Sequence, residues 1–151
     1  MKRLIEELLE GARERGACGK AQGVDTLDGL VGLYLSPQGQ EFCLKHGYPT
    51  GADWDRIRRE IGEAELRRRG IYVDAGPGNR VKDPGAAVVA VGAGTELTVE
   101  LTGPGETVAR IVALEGARVH VRARGYAVFE MVTDGKGFVE TIEKDETAIE
   151  L

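Results

Sequence analysis

Aromatic side chains make up only 5% of this 151-residue sequence, serine occurs once, and cysteine and histidine occur twice each. Few aromatics beside 22 glycines mean a core of small aliphatic side chains and many tight turns. The one serine, Ser36, precedes Pro37 in a helix-start signature, so it reads as a cap rather than a nucleophile. Neither His46 nor His120 lies in a Gly-x-Ser-x-Gly or His-x-x-x-His setting, and no catalytic residue is assigned. Cys18 and Cys43 read as small buried hydrophobes. Cys43 and His46, with Cys18, have a spacing that could ligate a metal, but the second paired motif usual in zinc sites is missing. No metal and no cofactor is expected.

A strong excess of either charge is also missing. Residues 1–69 carry 12 basic and 12 acidic side chains, and residues 70–151 carry 8 and 13, which gives the net charge of −5. Neither half draws in a polyanion, so nucleic-acid and anionic-membrane binding are not expected. The opening MKRLIEELLEGARER interleaves charges with leucines, which fits neither a signal peptide nor a membrane span, and a cytoplasmic location is the expectation.

What is present changes character midway. In the first seventy residues apolar side chains recur once per helical turn. Leu4, Ile5, Leu8, Leu9 and Ala12 form one stripe. Leu27, Leu30, Val31 and Tyr34 form a second behind Asp25 as cap. A third helix runs from Ser36-Pro37 to Gly47, and a fourth from the Thr50/Asp53 capping box through Trp54, Ile57 and Ile61 to Gly70. The stretch DAGPGNRVKDPG, residues 74–85, carries three glycines and two prolines, which oppose regular structure over most of its length. Beyond it the period is two: Leu97, Val99 and Leu101, then Val119, Val121 and Ala123, alternate with polar residues as strands do. These patterns divide the chain into a helical cap (1–70), a Gly/Pro-rich joint (71–85) and a β-rich part (86–151).

The α+β chain thus has a small helical bundle followed by a β-rich half. AVVAVGAGTELTVEL, RIVALEGARVHVRARGY and YAVFEMVTDGKGFVETI each read strand, glycine turn, strand, with an offset of 16–19 residues. Repeats of that form favour a short β-solenoid; an antiparallel sandwich or roll of the same strands is the alternative. The glycines of VVAVGAGTEL imitate a dinucleotide fingerprint, but Leu97 stands where the third glycine is required. TELTVEL then continues as a strand, so no helix N-terminus faces a phosphate.

Arg118, His120, Arg122 and Arg124 leave one face of one strand, about 7 Å apart. With Tyr126, Arg118, His120 and Arg122 are the candidate ligand-binding residues for a small anion or an acidic carbohydrate. Against that stands neutralisation by Glu96 and Glu100, which share the same spacing on another strand. Arg67, Arg68 and Arg69 end a helix whose Glu63 and Glu65 offer ion pairs one turn back.

Taken together, SPQGQEFCLKHGYPT, GIYVDAG with its following Pro-containing loop, and IVALEGARVHVRARGYAVFEM resemble a group of small uncharacterised bacterial proteins of gut-associated genomes and mobile elements. The resemblance covers roughly residues 36–135. It implies that the helical and β parts form one unit, and it transfers no activity and no functional residue.

The leading functional expectation is a non-enzymatic interaction or structural module. An anion or acidic-carbohydrate binder is second, and a carboxylate-based hydrolase third. Helices at one end of a solenoid would cover its first coil, and EKDETAIEL leaves the last coil uncapped. The expected partner is therefore the protein itself, as a dimer or trimer, or another protein.

Overall fold

The computed structural model describes residues 2–17, 23–85, 87–104 and 106–151. The chain divides into two compact units, Met1–Gly62 and Glu63–Leu151.

The first unit is helical. Helix α1 (Lys2–Glu14) buries the stripe Leu4, Ile5, Leu8 and Leu9. Ile5 and Leu9 pack with Val24, Leu30 and Leu33, the last two from α2 (Leu27–Leu35). Thr26, not Asp25, caps α2, its Oγ accepting from the Gly29 amide at 3.0 Å. Ser36 caps α3 (Pro37–His46) through the Gly39 amide, and Gly47, at φ 59°, ends it. The reciprocal Thr50/Asp53 capping box starts α4 (Gly51–Ile61), which buries Trp54 and Ile57. The Trp54 ring meets that of Tyr34 edge-on at 5.2 Å. The Tyr48 hydroxyl donates to the Leu8 carbonyl and so ties the α3–α4 connection to α1.

The helix expected to run on to Gly70 stops at Gly62, whose φ of 92° no helix accommodates. The short α5 (Glu63–Arg68) that follows belongs to the second unit, so the boundary falls eight residues before the one read from periodicity.

That unit is a β-solenoid of about four turns. Its strands are β1 (Ile71–Val73), β2 (Asn79–Lys82), β3 (Ala87–Val91), β4 (Glu96–Leu101) and β5 (Ala109–Leu114), followed by β6 (Arg118–Ala123), β7 (Val128–Thr133), β8 (Phe138–Lys144) and β9 (Ile149–Glu150). Odd strands stack in the order β1-β3-β5-β7-β9 and even strands in the order β2-β4-β6-β8. Every ladder is parallel, which rules out the antiparallel sandwich or roll.

The registers replace the expected 16–19-residue offset with a variable one, from 18 residues (Ile71 to Val89), inside that range, to 23 (Ala87 to Arg110), beyond it. The expected Gly/Pro joint is the first coil, since β1 and β2 pair with β3 and β4. Its strands of three and four residues are too short to announce a period, and their partners come later in the chain.

Between the two sheets, like side chains stack in columns. Leu97, Val119 and Val139 form one, and Val88, Ile111 and Met131 another. Alanines such as Ala90, Ala113, Ala117 and Ala123 keep the interior thin, which accounts for the scarcity of aromatics. In β3 and β5 the other face is buried too, at Val89, Val91, Val112 and Leu114, so these strands read as unbroken apolar runs rather than as alternation.

The corners are closed by short polar side chains. Asp83 accepts from the Thr102 amide at 2.7 Å, Asp134 from Glu115 at 3.0 Å and Asp145 from Gly125 at 3.2 Å. Each bond joins one coil's turn to its neighbour's. Gly92, at φ 96°, sits where any side chain would collide with the Asp74 carboxylate. Gly92 to Thr95 is thus a corner between β3 and β4, with no helix after it, and the resemblance to a nucleotide loop ends there.

Candidate functional site

The solvent face of the even-strand sheet carries the chemistry singled out in the sequence. Arg118, His120 and Arg122 project from β6 with Val119, Val121 and Ala123 buried between them. Tyr126 does not join them. It stands in the β6–β7 turn at φ 66°, mostly exposed, with its amide donating to Thr147 Oγ1.

Parallel register sets β4 on one side of this row and β8 on the other. Glu96 lies opposite Arg118 and Glu100 opposite Arg122, as expected, but Glu96 and Glu100 make their contacts diagonally, while those to β8 run straight across. His120 Nε2 is 3.2 Å from Glu96 and Nδ1 is 2.8 Å from Glu140. Arg122 meets Glu143 at 3.6 Å, and Glu100 meets Arg80 of β2 at 3.7 Å. The Arg118 guanidinium lies over the Phe138 ring, 5.6 Å from its centre. Each candidate cation on β6 thus has an acid or a ring beside it. The partners on β2 and β8 escaped sequence reasoning, although FVETIEK does alternate.

The outermost coil is built differently from those beneath it. Among the described residues its strands β8 and β9 pair on one side only. Phe138 and Ile142 are 44% and 45% exposed, Ile149 and Leu151 52% and 69%, whereas Val119, Val121 and Ile111 of inner coils are fully buried. Ile142 is the extra residue of a bulge, because Val121 aligns with Thr141 and Arg122 with Glu143. Across the end of the interior, the Thr141 hydroxyl donates to the Glu150 carboxylate and also contacts Met131 Sδ at 3.6 Å.

The other motifs resolve locally. Arg67 pairs with Glu63 at 3.7 Å and Arg68 with Glu65 at 2.6 Å, and Arg69 also reaches Glu65, so each of the three arginines has a local acid beside it. Arg67 in addition lies over the Tyr72 ring of β1. Cys43 is half-buried, and desolvation pushes its thiol up to about 12, away from thiolate chemistry. His46 stacks on Phe42 at 4.4 Å. Cys18 lies outside the described residues. Among the described residues no three His, Cys, Asp or Glu side chains gather as a metal site, and no helix is long and apolar enough to cross a membrane.

Hydrogen bonds hold several carboxylates below their usual range. Asp83 is lowered by the Thr102 hydroxyl and amide, and Asp145 by the Thr147 hydroxyl and neighbouring amides. At Asp134 partial burial opposes the shift, and the amides of Glu115, Gly137 and Lys136 outweigh it. No protein-family model, curated protein or solved structure matches the chain.

Proposed function

We propose that this protein is a non-enzymatic interaction module that engages another protein chain through the outermost coil of its solenoid. The observation that carries this reading is the exposure of Phe138, Ile142, Ile149 and Leu151 on strands paired on one side only. Exposed apolar side chains beside an unpaired strand edge favour contact with another polypeptide. Two features support it over the rival functions. A site for a small anion needs cations with spare valence, and His120 and Arg122 are already held by Glu96, Glu140 and Glu143. Asp83, Asp134 and Asp145 are committed to the amides and hydroxyls of the solenoid corners, which suits a structural role rather than acid–base chemistry.

The test is site-specific photo-crosslinking in the source cells, with a photoreactive amino acid replacing Ile142 or, as control, Thr98 in the middle of the same sheet. Defined adducts from position 142, to another copy or to a different protein, and none from position 98 are expected. Equal labelling from both positions, or none from 142, would refute the reading.

A further inference from the structure

The even-strand sheet alternates in charge from strand to strand. Its solvent face reads Arg80 and Lys82 on β2, Glu96 and Glu100 on β4, then Arg118, His120 and Arg122 on β6, then Phe138, Glu140 and Glu143 on β8. Every acidic row except the last has a cationic row on both sides. On β8 the side chains of β6 serve one side: Arg118 over Phe138, His120 against Glu140, Arg122 against Glu143. Among the described residues no strand pairs with the other side of β8.

Resting on the interaction reading above, the geometry points to the occupant: β8 accepts an extended basic segment of another polypeptide as a fifth strand of this sheet. Backbone direction agrees. The Phe138 amide donates to Ala117 at 2.8 Å, toward β6, so by alternation the amides of Val139 and Thr141 point to the open edge. The bulge at Ile142 interrupts the ladder, which resumes at Glu143, so Phe138–Thr141 is the longest unbroken stretch and sets a short docking register. An incoming strand with cations at alternate positions would repeat the β6 contacts and cover Phe138 and Ile142.

A second copy of the chain fits less well. Residues 134–151 hold six acidic and two basic side chains, so two such coils brought end to end repel. The chain's own basic edge, β2, belongs to the coil whose β1 is packed by α5, and coil-on-coil stacking there would displace that helix.

The probe is a fluorescent peptide of residues 117–125, ARVHVRARG, the segment that already pairs with β8, titrated against the full chain. A peptide of residues 95–103, TELTVELTG, serves as the acidic control. Expected are saturable binding of the basic probe that weakens as salt rises, no binding of the acidic one, and slowing of hydrogen exchange at the Val139 and Thr141 amides by about tenfold or more. Val139→Pro, which removes an edge donor and keeps the β6 ladder, should abolish binding. If it fails to fold, exchange in the unsubstituted chain still decides. Absence of binding, binding without protection of those two amides, or equal binding of both peptides would overturn the proposal. So would sedimentation showing that the chain alone self-associates with those amides already protected. Crosslinks from position 142 that persist without peptide binding would leave the interaction reading standing and reject only the basic strand.

Discussion

The Thr95 hydroxyl joins two coils of the solenoid: it accepts from the amide of Ala75 in the preceding coil at 2.9 Å and donates to the carbonyl of Val91 in its own turn at 2.8 Å. Thr95 is fully buried, so water cannot replace either bond. Thr95→Val keeps the shape, strips the Ala75 amide of its partner and leaves the Val91 carbonyl only the bond it accepts from the Asp74 amide. Urea unfolding should show a loss of about 1–3 kcal/mol, while Thr95→Ser should lose clearly less. Equal losses would mean that the methyl group, not the hydroxyl, carries the effect.

Gly11 and Gly32 are both helical glycines, and Ala should act on them with opposite sign. A Cβ on Gly11 would lie 2.5 Å from the Tyr48 hydroxyl oxygen and 2.9 Å from its ring, whereas one on Gly32 would meet nothing within 4 Å. Gly32→Ala should stabilise by about 0.5–1 kcal/mol through helix propensity. Gly11→Ala should destabilise, because Tyr48 is buried and held to Leu8. The two melting temperatures, measured side by side, check this.

Gln40 is buried in α3, and neither polar atom of its amide has a hydrogen-bond partner among the described residues. Gln40→Met, of similar length without the amide, should raise stability by about 1–2 kcal/mol in the same unfolding assay. A loss of stability would show that the amide is satisfied by water.

Acid should weaken the solenoid through its corners. Asp83, Asp134 and Asp145 have folded-state pKa values below those of the unfolded chain, so their contribution is fully present above the unfolded value of about 4. It is lost as pH falls through the lower, folded values. Stability measured from pH 6 down to pH 2 should therefore drop below about pH 4, and the triple Asp→Asn variant should show a flatter acid limb. An unchanged limb would place the sensitivity elsewhere.

The helix starts were the most legible features. Ser36-Pro37 and Thr50/Asp53 satisfy amides within three residues of themselves, so neighbouring letters suffice to place them. Asp25 was the exception, because adjacent Thr26 competes for the same cap and wins. In β4 and β6 alternation marked the inward side chains, since each strand has one face in water. The strand NRVK was hidden among glycines and prolines, and the row Glu140, Glu143 and Phe138 was not connected to Arg118, His120 and Arg122, because nothing local to either segment sets their register.

The sequence by itself determined that the first half is helical and the second β-rich, and that small aliphatic side chains point inward from the alternating strands. Those properties depend on contacts between residues a few positions apart. Only the tertiary structure decided that the strands run parallel in coils of uneven length, which acid faces which cation, and that Phe138 and Ile142 sit on an open edge. These depend on pairings between residues about twenty positions apart, where turns of different length shift the register and a single bulge moves Ile142 to the surface.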